Sequence, residues 1–530
     1  MNSLFDEIFR VDRLDRVAVL FEQSEISYGE LRGLTMQAAA ALKALQIGRG
    51  DRVAILLADS PEFVASFVAA ISLGAVAVPI NPALRPSDQL LILKDCGACL
   101  AIVERKTAQP LFGDADSHPE LIALKKLLMV RRKDDAAEAH LHREQASGLC
   151  FFDDAEHRAM DSEFPTRETE DADAFILYTS GSTGEPKGAV HTQAHIFYTN
   201  KTYCREVLKL REGDRLFSSS RLPFAYGLGN ALTFPLLNGL TAILCRERPS
   251  AEVVARVFRD YRPTIFFGVP VIYRMLLDHH RQVNPLNTAS LRLCVSAGEA
   301  LPAQLGEDWQ KTFGVQILDG IGSTEMLHMF MSNHEDALHY GSSGSLLRDY
   351  EARLIDHDGN AVGKTEVGNL WIRGGSAATR YWQRPETSAE TFVDGWVRTG
   401  DLYREDSDGF WWHMGRSDDC FKPTGQWVSP VEVEGVLLKN QTVRAVAVVE
   451  GFDKHGLSCV CAFVVRADED KFNDEAVESS LRLLCEHELP RFKQPQRYIF
   501  VSELPYTATG KVQRFKLREQ LRVKAAEMGQ

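Results

Sequence analysis

Residues Arg52 to Ile80 read RVAILLADSPEFVASFVAAISLGAVAVPI. The apolar run Val53-Ala54-Ile55-Leu56-Leu57 has the length and continuity of a strand covered on both faces. Ser60 and Pro61 open a helix, since a serine can cap free N–H groups and proline suits the first helical turn. Gly74 stops that helix, and Ala75-Val76-Ala77-Val78-Pro79-Ile80 returns as a second apolar run. Strand, helix and strand in this order form a βαβ unit, which predicts a parallel sheet. Continuous runs at Thr264 to Val269 and Leu291 to Val295, each near a helical stretch, repeat the pattern. The expected fold is α/β, with a large doubly wound N-terminal body.

Beyond Gly415 the pattern changes. Short strands at Ala445 to Val449, Cys459 to Val465 and Tyr498 to Val501 accompany one helix near Ala476 to Glu488, so a small C-terminal α+β domain is expected. The charged stretch from Arg131 to Glu170 lacks apolar periodicity and reads as surface excursions before the strand Ala174 to Tyr178. A chain of 530 residues with 45% hydrophobic content exceeds what one core serves, which also favours two or more domains.

The longest apolar stretch, Phe63 to Ala77, is broken by Ser66, Ser72 and Gly74 and falls short of the roughly 20 residues a membrane span needs. The N-terminus has neither the basic segment nor the apolar stretch of a signal peptide, and the ten cysteines have no repeated spacing, so a reduced, cytoplasmic setting is expected. Cys459 and Cys461 would share one strand face as buried thiols. A formal charge of −13 argues against a nucleic-acid partner.

After the strand ending at Tyr178 comes Thr179-Ser180-Gly181-Ser182-Thr183-Gly184-Glu185-Pro186-Lys187-Gly188. Its glycines let backbone N–H groups approach a phosphate, its hydroxyls donate further hydrogen bonds, and Lys187 adds a point charge. It is not a Walker A loop, because Gly181 and Gly184 are too close together and Gly188 follows Lys187. Four further segments belong with it: Gly322-Ser323-Thr324-Glu325, Trp396 to Asp401, Gly415-Arg416-Ser417-Asp418-Asp419 and Thr509-Gly510-Lys511. In this order and near these spacings the set resembles the adenylate-forming superfamily of acyl-CoA ligases, peptide-synthetase adenylation domains and luciferases.

That resemblance implies an N-terminal domain over 1–416 and a mobile C-terminal domain over 417–530 joined by a hinge. It also implies ATP and Mg²⁺ as cofactors and coenzyme A as co-substrate. Thr179, Ser180, Gly181, Ser182, Thr183, Gly184 and Lys187 would hold phosphates, Thr324 would touch the α-phosphate, and Glu325 would bind Mg²⁺. Asp401 and Arg416 resemble the ribose ligands, while Gly298, Glu299, Ala300, Asp319, Gly320, Ile321, Gly322 and Ser323 resemble the adenine-flanking segments. Ile321 stands where many relatives carry an aromatic ring. Lys511 resembles the lysine that reaches the carboxylate and α-phosphate. Asp418 resembles the hinge residue, and Lys422, Gly425 and Trp427 lie where relatives place second-step residues.

The segments Leu222 to Asn230, Val295 to Leu301 and Gly320 to His328 resemble the benzoate:CoA ligase branch. This would place Ala225, Tyr226, Ala297, Gly322, His328 and Met329 around a small aromatic or alicyclic acid. No Arg or Lys is among them, which argues against a dicarboxylate, whose second charge would lack a partner. The chain is therefore expected to be an ATP-dependent acid:CoA ligase. The alternatives are an enzyme loading carrier-protein phosphopantetheine, a luciferase-like oxygenase and a non-catalytic nucleotide-binding module. The last is disfavoured because Lys187, Glu325, Asp401 and Lys511 are all present. The oligomeric state stays open, a homodimer included.

Overall fold

The structure is a computed structural model that describes residues 3–112, 124, 126–130, 149–151, 172–180, 186–356, 358–423, 426, 428–453, 457–468, 473–506 and 512–528. The opening βαβ unit forms where the sequence places it. Strand Arg52–Leu56 leads to helix Pro61–Ser72, whose N-cap Ser60 accepts from the N–H of Phe63, and strand Val76–Pro79 lies parallel to the first with Arg52 opposite Val76. Gly74 turns the chain between them at φ 71°, a left-handed angle that a side chain would strain.

Among the described residues, the unit belongs to an eight-stranded sheet. Strands Leu100–Glu104, Lys126–Val130 and Leu149–Phe151 lie to one side; Asp173–Ser180, Pro186–Thr192 and Arg380–Tyr381 lie to the other. Strands Ile265–Gly268 and Leu293–Ser296 pair parallel in a second, nine-stranded sheet, followed by Ile317–Gly322 and then by antiparallel Met329–Ser332. The doubly wound body is thus built on two large sheets. One buried cluster takes Val19 from the second sheet and Val53 and Ile55 from the first, together with Leu31, Leu42, Phe63 and Phe67. Helices Tyr28–Ala44 and Pro61–Ser72 are therefore a layer shared by both sheets. A five-stranded antiparallel sheet, containing Trp396–Glu405 and Trp411–Arg416, completes this part.

The C-terminal part is α+β. Strands Val443–Phe452, Ser458–Arg466 and Arg497–Phe500 form a sheet with helix Asp474–Glu488. Sequence patterning did not reveal two further helices, Pro430–Leu437 and Arg514–Met528. Cys459 and Cys461 are buried with their sulfurs 3.7 Å apart and remain free thiols. Arg514 ties the last helix down, donating twice to Glu434 at 2.8 Å, while Arg518 donates to Asp419 at 2.9 Å. Among the described residues no helix is long and apolar enough to cross a membrane.

Candidate functional site

The glycine-rich loop joins two antiparallel strands, with Thr179 opposite Lys187 and Ser180 opposite Pro186. A Walker A loop runs from strand to helix; this one is a hairpin tip. Residues Gly181, Ser182, Thr183 and Gly184 lie outside the described residues, as do Gly425, Trp427 and Lys511. Lys187 is half-buried on the returning strand, its Nζ 5.8 Å from the ring centroid of Tyr381.

The two large sheets meet beside this hairpin. Between Ile317–Gly322 and Met329–Ser332 the chain makes a tight turn holding Ser323, Thr324 and Glu325. Leu327 takes φ 62°, and the N–H of Met326 donates to Ser323 Oγ at 3.2 Å. Three hydrogen bonds cross from the first sheet and its edge to this turn. Tyr381 Oη donates to Glu325 Oε1 at 2.7 Å, the Ala378 N–H donates to the Glu325 carbonyl at 2.6 Å, and His191 Nε2 lies 2.8 Å from the Thr324 carbonyl. A carbonyl only accepts, so that His191 nitrogen carries the proton.

His191 Nδ1 is in turn 3.0 Å from His195 Nδ1, which also accepts from the Thr192 N–H at 3.4 Å. Burial, then the neighbouring His195, holds the pKa of His191 down to about 3, and burial holds that of His195 to about 4. Both rings are neutral near pH 7. With Nε2 of His191 protonated, its Nδ1 can only accept. Burial and then Glu325 raise the Tyr381 phenol far above its ordinary value, so it stays a donor. No sequence signal picked out Tyr381, which stands 56 residues from Glu325. His191 had one weak signal, a histidine inside the apolar run Ala189-Val190.

Glu325 suits Mg²⁺ as a single carboxylate at the phosphate hairpin. Among the described residues no group of three His, Cys, Asp or Glu side chains could hold a metal unaided. Mg²⁺ commonly takes only one or two carboxylates and fills its sphere with substrate phosphates and water.

Of the residues expected to flank adenine, Asp319 is buried, its Oδ2 accepting from the Leu301 N–H at 3.1 Å, and burial raises its pKa to about 8. Its side chain braces the loop carrying Gly298, Glu299 and Ala300. Glu299 lies close enough to Tyr506 and Arg514 of the C-terminal part to act on their ionisation. Gly320 and Ile321 sit on strand Ile317–Gly322, opposite Ser332 and Met331. Asp401 and Arg416 face each other across paired strands, Arg416 Nη1 donating to Asp401 Oδ1 at 3.3 Å. Asp418 and Lys422 are exposed just beyond.

Of the residues expected around the acid, Tyr226, Ala297 and Met329 pack in one cluster and Ala225 in another. Tyr226 Oη donates to the Val295 carbonyl at 3.2 Å, beside Ala297. Arg221 sets this segment by donating to the carbonyls of Cys245 and Arg246, at 2.6 and 2.9 Å. His328 is enclosed by Tyr203, Phe234 and Tyr226, at centroid separations of 4.7, 4.7 and 5.7 Å. Ala225, Ala297 and Met329 are buried. Gly322 has its own packing reason, because a Cβ there would lie 2.4 Å from the His328 carbonyl oxygen. Burial keeps His328 neutral, its pKa near 3.

Residues 5–382 match the AMP-binding enzyme family and residues 432–511 match its C-terminal domain. The chain belongs to the AMP-binding enzyme family. Among members of that family it is similar to the benzoate–CoA ligase of Thauera aromatica, with 41% identity over 498 residues covering 93% of this chain and 90% of the relative. The AMP-binding enzyme fold is equally clear in solved structures. An anthranilate CoA ligase in complex with anthranoyl-AMP superposes with a TM-score of 0.90 at 35% identity, covering 99% of this chain and 98% of that one. A benzoate CoA ligase from Burkholderia xenovorans LB400 gives a TM-score of 0.86 at 36% identity, covering 98% and 100%.

Proposed function

We propose that this AMP-binding enzyme is an AMP-forming acid–CoA ligase acting on benzoate or a closely related small ring acid. The observation that carries the reading is the joint between the sheets. The hairpin with Lys187 is bonded through Tyr381 to Glu325, and three residues beyond Glu325 the same turn delivers His328 to an apolar enclosure. Phosphate chemistry and ring binding thus share one short segment. The similarity to benzoate and anthranilate CoA ligases supports the same assignment.

A carboxylate oxygen of the acid attacks the α-phosphorus of ATP and the bond to the β-phosphate bridging oxygen breaks, giving acyl-adenylate and pyrophosphate. No general base is required, so the protein's work is placement and neutralisation of charge. Lys187 and the loop Thr179 to Gly184 hold phosphates, Thr324 meets the α-phosphate, and Asp401 with Arg416 holds the ribose. Lys511 acts on the forming adenylate. Glu325 would hold Mg²⁺, which would supply charge to offset the phosphates. The CoA thiol then attacks the acyl carbon and AMP departs. We assign residues 1–416 to the larger domain and 417–530 to the smaller, with Asp418 at the hinge, in a cytoplasmic enzyme. Measuring acid-dependent pyrophosphate exchange with benzoate and its relatives, followed by mass detection of the CoA thioester, tests this directly. Exchange without thioester on free CoA would move the acceptor to a carrier protein; no exchange with any ring acid would discard the acid assignment.

A further inference from the structure

Among the described residues, four tyrosines are at most 1% exposed: Tyr28, Tyr203, Tyr273 and Tyr403. Tyr28 donates to the Leu240 carbonyl at 2.7 Å, Tyr273 to the Val295 carbonyl at 2.8 Å, and Tyr403 pairs with Ser343 at 2.8 Å. Tyr203 differs, since its hydroxyl finds no hydrogen-bond partner among the described residues. A phenylalanine would fill the same volume without an unpaired polar atom. Buried hydroxyls are ordinarily satisfied, so a sealed and unsatisfied one needs a reason.

Its surroundings supply that reason. Tyr203 stands on a π-helical turn, Asn200–Arg205, a backbone form that recurs at functional positions. Its ring lies 4.7 Å from that of His328. Both His328 nitrogens also lack a hydrogen bond of proper geometry among the described residues, although the Tyr226 backbone lies close enough to favour the charged ring slightly. A second π-helical turn, Gly229–Thr233, backs the same histidine: a Cβ on Gly229 would fall 2.5 Å from its Cδ2. Tyr226, by contrast, spends its hydroxyl on Val295. A neutral imidazole offers one donor and one acceptor, and a phenol offers both. Tyr203 keeps an unused phenol beside His328, whose ring has, among the described residues, no contact stronger than the one to the Tyr226 backbone. Tyr203 lies in one packed cluster with Ala297 and Met329, and the unbranched side chain of Met329 can shift to admit a small group.

We propose that Tyr203, acting with His328, is a specificity-determining residue that recognises a hydrogen-bonding substituent, a hydroxyl or an amine, on the ring of the acid. The preferred substrate class is then a hydroxy- or aminobenzoate over benzoate itself. This rests on the ring-acid reading above. An unsubstituted ring leaves both polar groups unpaired, and sites built to hydrogen-bond a substrate group discriminate strongly against analogues lacking it.

The test uses the full-length enzyme and compares kcat/KM for benzoate with that for the 2-, 3- and 4-hydroxy- and aminobenzoates, in wild type and Tyr203→Phe. Wild type should favour at least one substituted acid, and in Tyr203→Phe the ratio of that acid to benzoate should fall on the order of 10- to 100-fold. Phe234→Leu loosens the same enclosure without touching a polar atom and should lower all acids alike. A ratio in Tyr203→Phe equal to that of wild type, or a wild-type preference for plain benzoate over every substituted acid, overturns the proposal. Wild type inactive on every ring acid overturns the ring-acid reading itself, and that failure is visible before any variant is made.

Discussion

The proposed phosphate side and the proposed acid side of this site are built on opposite plans. On the phosphate side the polar groups are matched within the protein: His195 to His191, His191 to Thr324, Tyr381 to Glu325. On the acid side Tyr203 and His328 are buried with no match among the described residues. Satisfied networks hold geometry before any ligand arrives, whereas an unsatisfied buried donor costs about 1–3 kcal/mol until something pairs it. The first plan suits the step shared by all acids, placing phosphates. The second suits discrimination between acids.

The strongest way to sharpen this contrast is Glu325→Gln, which keeps the shape of the phosphate side and removes its carboxylate. Pyrophosphate exchange should fall about 10²- to 10³-fold for every acid alike, with a raised Mg²⁺ requirement. Loss confined to one acid, or unchanged Mg²⁺ dependence, would break the division of labour. Enlarging the acid side has the complementary signature. Ala225→Leu or Ala297→Leu overpacks the buried slot, at a typical cost of 1–3 kcal/mol, and should lower kcat/KM for ring acids roughly 10- to 100-fold. The KM for ATP should hardly move. If both variants keep the wild-type acid preference, the slot lies elsewhere.

A smaller effect is expected from Tyr381→Phe, which deletes the hydrogen bond to Glu325 and leaves the ring beneath Lys187. A loss of about tenfold in adenylation is expected, from a bond to a charged group worth about 1.5 kcal/mol. Adenylation at the wild-type rate would mean that Glu325 is held by other contacts. A further effect concerns pH. The unfolded chain protonates His191 near its ordinary value of 6.5, while the folded site resists until about 3. The stability this residue contributes is complete above pH 6.5 and is lost between 6.5 and 3, by at most about 1.4 kcal/mol per pH unit. Asp319, held protonated up to about pH 8, works in the opposite direction above pH 3.8. The readout is therefore the difference between wild type and His191→Gln in urea midpoints at pH 7 and pH 5. The variant should lose less stability on acidification. Parallel losses would show that His191 is protonated in the native protein already.

Local rules were enough for much of this molecule. The run Arg52 to Ile80 specified its strand, cap, helix and turn because each depends on neighbours a few residues away. The C-terminal strands, the pair Cys459 and Cys461, and the phosphate loop's distinction from a Walker A loop were legible for the same reason. The helix Arg514–Met528 was not. Its position depends on Arg514 and Arg518 meeting Glu434 and Asp419, and nothing in its own pattern marks that contact.

Within the site, the residue types proposed for phosphate chemistry come from the motifs at Thr179 to Lys187 and Gly322 to Glu325. Only the tertiary structure decided that Tyr381 joins those motifs and that His191 braces Thr324. It alone set Tyr203 against His328 with neither group satisfied. A hydrogen bond across two sheets is a property of distance, and sequence carries no distance between residues that the fold brings together.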